Sequence, residues 1–324
     1  MTDSLRIGIL TSVLMLLGCG AGTVVGDGGA GGSGGGGSAG GSGGGKMSTG
    51  WVVVDGGTTT SFNAIWGSGP NDVWAVGQSG TIVRWDGTAW ASVASGTFSL
   101  LSGVWGSGPS DVWAVGAAGT ILRWNGSAWT TQASTTSSYI NTIWGSGPNA
   151  VWRDSMDLPL GTVFWNGTTW TKVARNDGSV INAYIRGIWG SSANDVWAVG
   201  DLIWRWNGTA WAVVSSGTTE QLNGVWGSSA NDLWAVGSNG TILRWNGSAW
   251  VSVTSGTTNH LSSIWGSGPD DVWAAGGGGT LLHWNGSAWS AAISGTTKAL
   301  NAIWGSGPSD VWVVGSGGVI LHGP

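Results

Sequence analysis

One cysteine, Cys19, stands in 324 residues, so no disulfide within the chain can hold the fold together. Charge is scarce as well: 11 basic and 16 acidic residues make up 8% of the chain, with a net charge of −5. That leaves no basic footprint for a phosphate backbone and excludes nucleic acid as a partner. There is one glutamate, Glu220, and there are two tyrosines, Tyr139 and Tyr184. A glycosidase needs two positioned carboxylates, or a tyrosine nucleophile with its acid, and most aspartates here recur at one turn position. The three histidines, His260, His283 and His322, are too scattered for a metal site. No catalytic residue, metal or cofactor is therefore expected, and glycoside hydrolysis is the least favoured activity.

What the chain has instead is tryptophan, 28 of them, and glycine, 63. An Ile/Val-Trp-Gly-Ser motif returns with its tryptophan at Trp66, Trp105, Trp144, Trp189, Trp226, Trp265 and Trp304, at spacings of 39, 39, 45, 37, 39 and 39 residues. A period near 40 is the mark of a repeat architecture. The copy at 222–258 divides into LNGVWG, DLWAVG, TILRW and AWVSV, with Gly, Asn, Ser or Pro in every gap. Short β-rich runs between turn residues read as strands, and no helical period follows residue 50. Four strands per repeat of about 40 residues make the blade of a β-propeller.

The ends fix the number of blades. The last copy, from Leu300, holds three strands and stops at VILHGP, while the missing fourth strand begins at Trp51 as WVVVDGGTTT. The expectation is an all-β, seven-bladed propeller of four-stranded antiparallel blades over residues 51–324, closed by residues 51–54 pairing with residues 319–322. Closure removes the exposed strand edges of an open array.

Two repeat positions carry charge. Asp72, Asp111, Asp195, Asp232, Asp271 and Asp310 precede the second strand, where copy three has Ala150. Arg84, Arg123, Arg205, Arg244, His283 and His322 end the third strand, where copy three has Phe164. The copy that loses the acid also loses the base, so the two positions are expected to interact, within a blade or between neighbours, in a structural role. The aspartate is also placed to accept from nearby backbone amides. The Trp-Asn-Gly-Ser-Ala-Trp turn should set its flanking tryptophans opposite each other, through a Gly-Ser centre or a four-residue loop.

Residues 1–19 are of another kind. Arg6 precedes an apolar run over 7–17, too short to span a bilayer and typical of a signal-peptide core. It ends Leu16-Leu17-Gly18-Cys19, which resembles the lipobox of bacterial lipoproteins. The resemblance implies lipidation of Cys19, and Gly20 after it implies delivery to the outer membrane. Residues 20–50 are dominated by Gly and Ser and read as a flexible linker with a reach of roughly 30 Å.

The pattern VWAVGxxGTIxRWNGSAW resembles tectonin-type propeller repeats, and also Asp-box and photosystem-assembly-factor-like propellers and Trp-rich propeller lipoproteins. The tectonin resemblance implies glycan binding. Candidate ligand-binding residues are then the rim pairs Trp85/Trp90, Trp124/Trp129, Trp245/Trp250 and Trp284/Trp289, with Trp165/Trp170 and Trp206/Trp211 in the same positions. The expected function is a non-catalytic, lipid-anchored, monomeric envelope module recognising glycans or another surface polymer. The alternative is a protein-interaction scaffold using the irregular copy-three loops at 153–161 and 175–184. There Arg153, Asp154, Asp157, Arg175 and Asp177, with Lys172 and Arg186, form a charged interaction patch.

Overall fold

The computed structural model describes residues 50–157, 161–174, 178 and 183–324. Residues 1–49, with Cys19, the expected leader and nearly all of the expected linker at 20–50, lie outside the described residues.

Seven four-stranded antiparallel sheets are present, as expected. Blades I to VI span residues 62–92, 101–131, 143–173, 185–214, 222–252 and 261–291. Blade VII combines 300–323 with the strand Val52–Val53. That short strand pairs antiparallel with Ile320–Gly323, Val52 opposite His322 and Val53 opposite Leu321, and the Val54 amide donates to the Ile320 carbonyl at 2.9 Å. The closure arithmetic of the sequence holds.

Each blade is a meander, so its connections alternate between two ends of the sheet. Outside blade III, second and third strands are joined by a tight turn. In blade I, Ser79 and Gly80 both have positive φ, 53° and 68°, and the Thr81 amide returns to the Gln78 carbonyl at 2.9 Å. Two such residues are the requirement of the hairpin turn whose twist matches the flanking strands. At the other end, third and fourth strands join by a four-residue loop. Asn246 Oδ1 accepts from the Ser248 and Ala249 amides at 3.0 Å each, and Trp245 stands opposite Trp250.

The hydrophobic core lies between blades, not within them. Strand residues on both faces are buried, and each cluster draws on two successive blades; Phe62 and Val73 of blade I pack with Trp312 and Val314 of blade VII. The Trp-Gly motif is one half of this joint. A Cβ on Gly67 would stand 2.5 Å from the Trp304 ring, and on Gly106 the same distance from Trp66. The same approach recurs at Gly145, Gly190, Gly227, Gly266 and Gly305 against the tryptophan of the preceding blade. Each motif tryptophan lies on the next blade's motif glycine, seven times around the ring.

Candidate functional site

The Asp and basic positions form one joint per blade. Arg84 Nε donates to Asp72 Oδ1 at 2.7 Å, and Ser68 Oγ donates to Asp72 Oδ2 at 2.6 Å. Arg123–Asp111, Arg205–Asp195 and Arg244–Asp232 repeat the pair at 2.6–2.8 Å; His283–Asp271 and His322–Asp310 repeat it through Nε2 at 2.7 Å. The interaction is within a blade. The aspartate binds side chains of both neighbouring strands, where the sequence suggested backbone amides. Each guanidinium also lies over the second-strand indole, Arg84 at 4.8 Å from the Trp74 ring centre. In blade III Phe164 takes that place, 4.7 Å from Trp152. An apolar ring replaces the cation where Ala150 offers no carboxylate.

The structure corrects the expectation for the rim tryptophans. Trp90, Trp124, Trp129, Trp245, Trp250 and Trp284 are buried, and Trp85 and Trp289 are half-buried. Each pair forms a slot for the second-strand tryptophan of the preceding blade. Trp74 meets Trp124 and Trp129 at 4.9 and 5.3 Å, and Trp234 meets Trp284 and Trp289 at the same distances. Trp312 enters the Trp85/Trp90 slot and Trp197 the Trp245/Trp250 slot. Trp51 completes the set by meeting Trp273 at 5.1 Å. Tilted and edge-to-face packing occupies these rings.

The copy-three patch divides as well. The second strand of blade III runs Ala150–Ser155, so Arg153 and Asp154 are strand residues, 0% and 1% exposed, and not part of a surface loop. They stand where the other blades carry buried Ala or Val. Arg153 donates to the Asp154 carbonyl and to Thr135 Oγ1, and its guanidinium lies 5.3 Å from the Trp170 ring centre. Burial lowers its pKa to about 10. Asp154 Oδ1 accepts from the Asn141 and Thr142 amides at 2.7 and 3.0 Å, substituting for strand pairing that starts only at Ile143. Burial outweighs these bonds and raises its pKa to about 7. Asp157 is half-buried, held below the ordinary carboxylate range by the Ser138 and Thr136 hydroxyls. Lys172 is exposed on the outer strand; Arg175 and Asp177 lie outside the described residues.

A different surface emerges around the central channel, which encloses about 380 Å³ between the seven innermost strands. In six blades the innermost strand is bulged near its start, and the extra residue is Asn63, Ser102, Arg186, Asn223, Ser262 or Asn301. A bulge re-aims one side chain out of the ladder. Here that residue lines the channel mouth, with Asn141 as its counterpart in blade III. The amides of Asn63, Asn141, Asn223 and Asn301 donate to the next blade's first-strand carbonyl at 2.7–3.1 Å, a ring of bonds between blades. The sequence carried this signal as a polar residue after the first apolar one of each copy, a position the repeat pattern alone left unremarked.

The two ends of the propeller differ in sequence. One end carries the Gly-Ser-Gly-Pro-type turns and the Asn-Gly-Ser-Ala loops, nearly identical in every blade. The other carries the channel mouth, the tight turns and the linkers between blades. Two residues before the ring position stand Ser61, Leu100, Tyr139, Tyr184, Gln221, His260 and Ala299. Phe98, 94% exposed, and Leu202, 44% exposed, lie on the same end.

Solved structures with this architecture include YCF48 bound to D1 peptide, 18% identical, covering 85% of this chain and 96% of that one, with a TM-score of 0.68. YCF48 from Cyanidioschyzon merolae is 18% identical over 84% of this chain and 98% of its own, with a TM-score of 0.69. The WD40 β-propeller domain of Doa1 is 14% identical over 85% and 97%, at 0.71. The chain is a seven-bladed β-propeller. At these identities the likeness shows the fold alone. No protein-family model and no curated protein matches the sequence.

Proposed function

We propose that this propeller is a non-catalytic protein-interaction scaffold whose docking surface is the end bearing the channel mouth. The observation that carries this reading is the internal contrast between the two ends. Repeats that copy one another closely in strands and in one set of turns diverge around the channel mouth, where loops carried by a rigid scaffold are free to vary. That end also holds both tyrosines, Phe98 and His260, the side-chain types suited to contact. A neighbour of the same fold, YCF48, was solved with a peptide bound, which supports a polypeptide as the occupant. Export and tethering through a lipid on Cys19 at the outer membrane belong to the same proposal and rest on the sequence of residues 1–19.

Glycan recognition is the weaker reading, because the rings that motivated it are occupied by packing. The test is capture of cross-linked partners from membrane extracts by three forms of the chain. Replacing Phe98, Tyr184 and His260 with Ser should strip the partner set, while Ser110→Lys with Asn231→Lys on the opposite end should leave it intact. The reverse pattern, or binding to a sugar array that survives the first set of changes, sinks the proposal.

A further inference from the structure

Arg186 stands apart from every other described arginine. Arg84, Arg123, Arg205 and Arg244 are paired with aspartates, and Arg153 is buried with its own bonds. Among the described residues Arg186 has no hydrogen bond and no ion pair, and it is exposed. It occupies the ring position of blade IV, where four other blades carry an asparagine bonded to the next blade. The blade IV copy thus gives up an inter-blade bond and sets at the channel mouth the one charged side chain among the described residues of its lining.

The surroundings are organised for an anion. His260 lies close enough for Arg186 to help lower its pKa, after burial, and Asn223 holds the imidazole Nε2 at 3.3 Å. Ser262 adds a hydroxyl to the same lining. Of the described acidic residues on this side, Asp201 accepts from Gln221 at 3.2 Å and Glu220 from Asn239 at 2.9 Å. A guanidinium with no partner among the described residues, at the mouth of a narrow channel, offers its donor fork to a planar anion, and carboxylate fits that fork in two-point fashion.

We infer that the channel mouth at Arg186, with His260 near it and Ser262 in the same channel lining, is a carboxylate-binding subsite that takes an acidic side chain or chain terminus of a docked polypeptide. This deepens the docking proposal and rests on it. The probe is a fluorescein-labelled hexaglutamate peptide, with a second form amidated at its C-terminus to separate side-chain from terminal carboxylates. Its anisotropy is titrated with the full chain at low and high salt.

Binding should weaken as salt rises, and Arg186→Asn should weaken it about tenfold, the loss expected for one charge-assisted contact. The same variant should keep or raise the unfolding midpoint, because asparagine at this position can reach the Leu222 carbonyl as its counterparts reach theirs. Lys298→Ala, removing a lysine of the same end that bonds the Gly317 carbonyl, should leave hexaglutamate binding unchanged. Undiminished binding by Arg186→Asn overturns the subsite, and so does absence of binding by the unaltered chain. Partner capture separates the two proposals: if the Phe98, Tyr184 and His260 substitutions still strip partners, docking stands and only the carboxylate subsite falls.

Discussion

At the scale of single residues, the most telling substitution is one the chain has already made. Blade III replaces the Asp/Arg joint with Ala150 and Phe164, and the ring takes up the cation's place over the indole. Asp111→Ala alone leaves Arg123 without its partner in a part-buried site and should cost about 1–3 kcal/mol. Adding Arg123→Phe should recover a large share of that loss, and a double-mutant cycle by urea unfolding measures the coupling. Asp154 carries a second prediction. Its folded pKa, about 7, is raised above the ordinary 3.8, so the native state holds the proton more tightly than the unfolded chain. This contribution is therefore full below about pH 4 and is lost as pH rises through 7, by a few kcal/mol in order of magnitude. Asp86, held down to about 2 by the Thr88 hydroxyl and by amides, acts in the opposite sense and only at lower pH. Urea midpoints from pH 5 to 8 should decline for the unaltered chain and lie flat for Asp154→Asn. The joint was legible in the sequence because acid and base vanish together. The burial of Arg153 and Asp154 was not, since a charged pair in a strand-length segment reads as a loop until its neighbours are placed.

At the scale of the element, the blade is a sheet buried on both faces, and its stability resides in what passes between sheets. The motif glycines make that visible. Gly106→Ala would set a methyl against the Trp66 ring and the Asp111 carbonyl, forcing the blades apart at a cost of about 1–3 kcal/mol. Thermal unfolding checks it, and Gly108→Ala, with open space around it, is the control expected to change little. Four strands per repeat and their turns could be read from Gly, Asn and Pro in the gaps. The facing tryptophans of the Asn-Gly loop could be read too, because the loop length fixes their register. Which way those rings point could not. Alternation separates core from solvent only where one face is wet, and these strands are apolar on both. The bulge that builds the channel ring was also hidden, since one extra residue leaves the composition of a strand unchanged.

At the scale of the whole molecule, the number of blades followed from unequal ends: three strands left at one terminus and one at the other. The Val52–Val53 strand and Trp51 supply both the last ladder and the last interlocking ring. Deleting residues 51–58 should lower the unfolding midpoint well beyond the effect of a single core truncation, which for Trp→Ala is about 3–5 kcal/mol. Exposed blade faces would also bind a hydrophobic dye. If the truncated chain melts like the intact one, ring closure contributes little to stability.

The clasp also has a direction. Gly50 lies against Pro324, and the closing strand runs antiparallel to its partner, so a force drawing the two termini apart loads the ladder at one end. Bonds would open singly, as in a zipper, rather than resist together in shear. The strongest assembly of rings in the chain is thus fastened by its weakest mechanical link, set where any tether attached through residue 50 would pull.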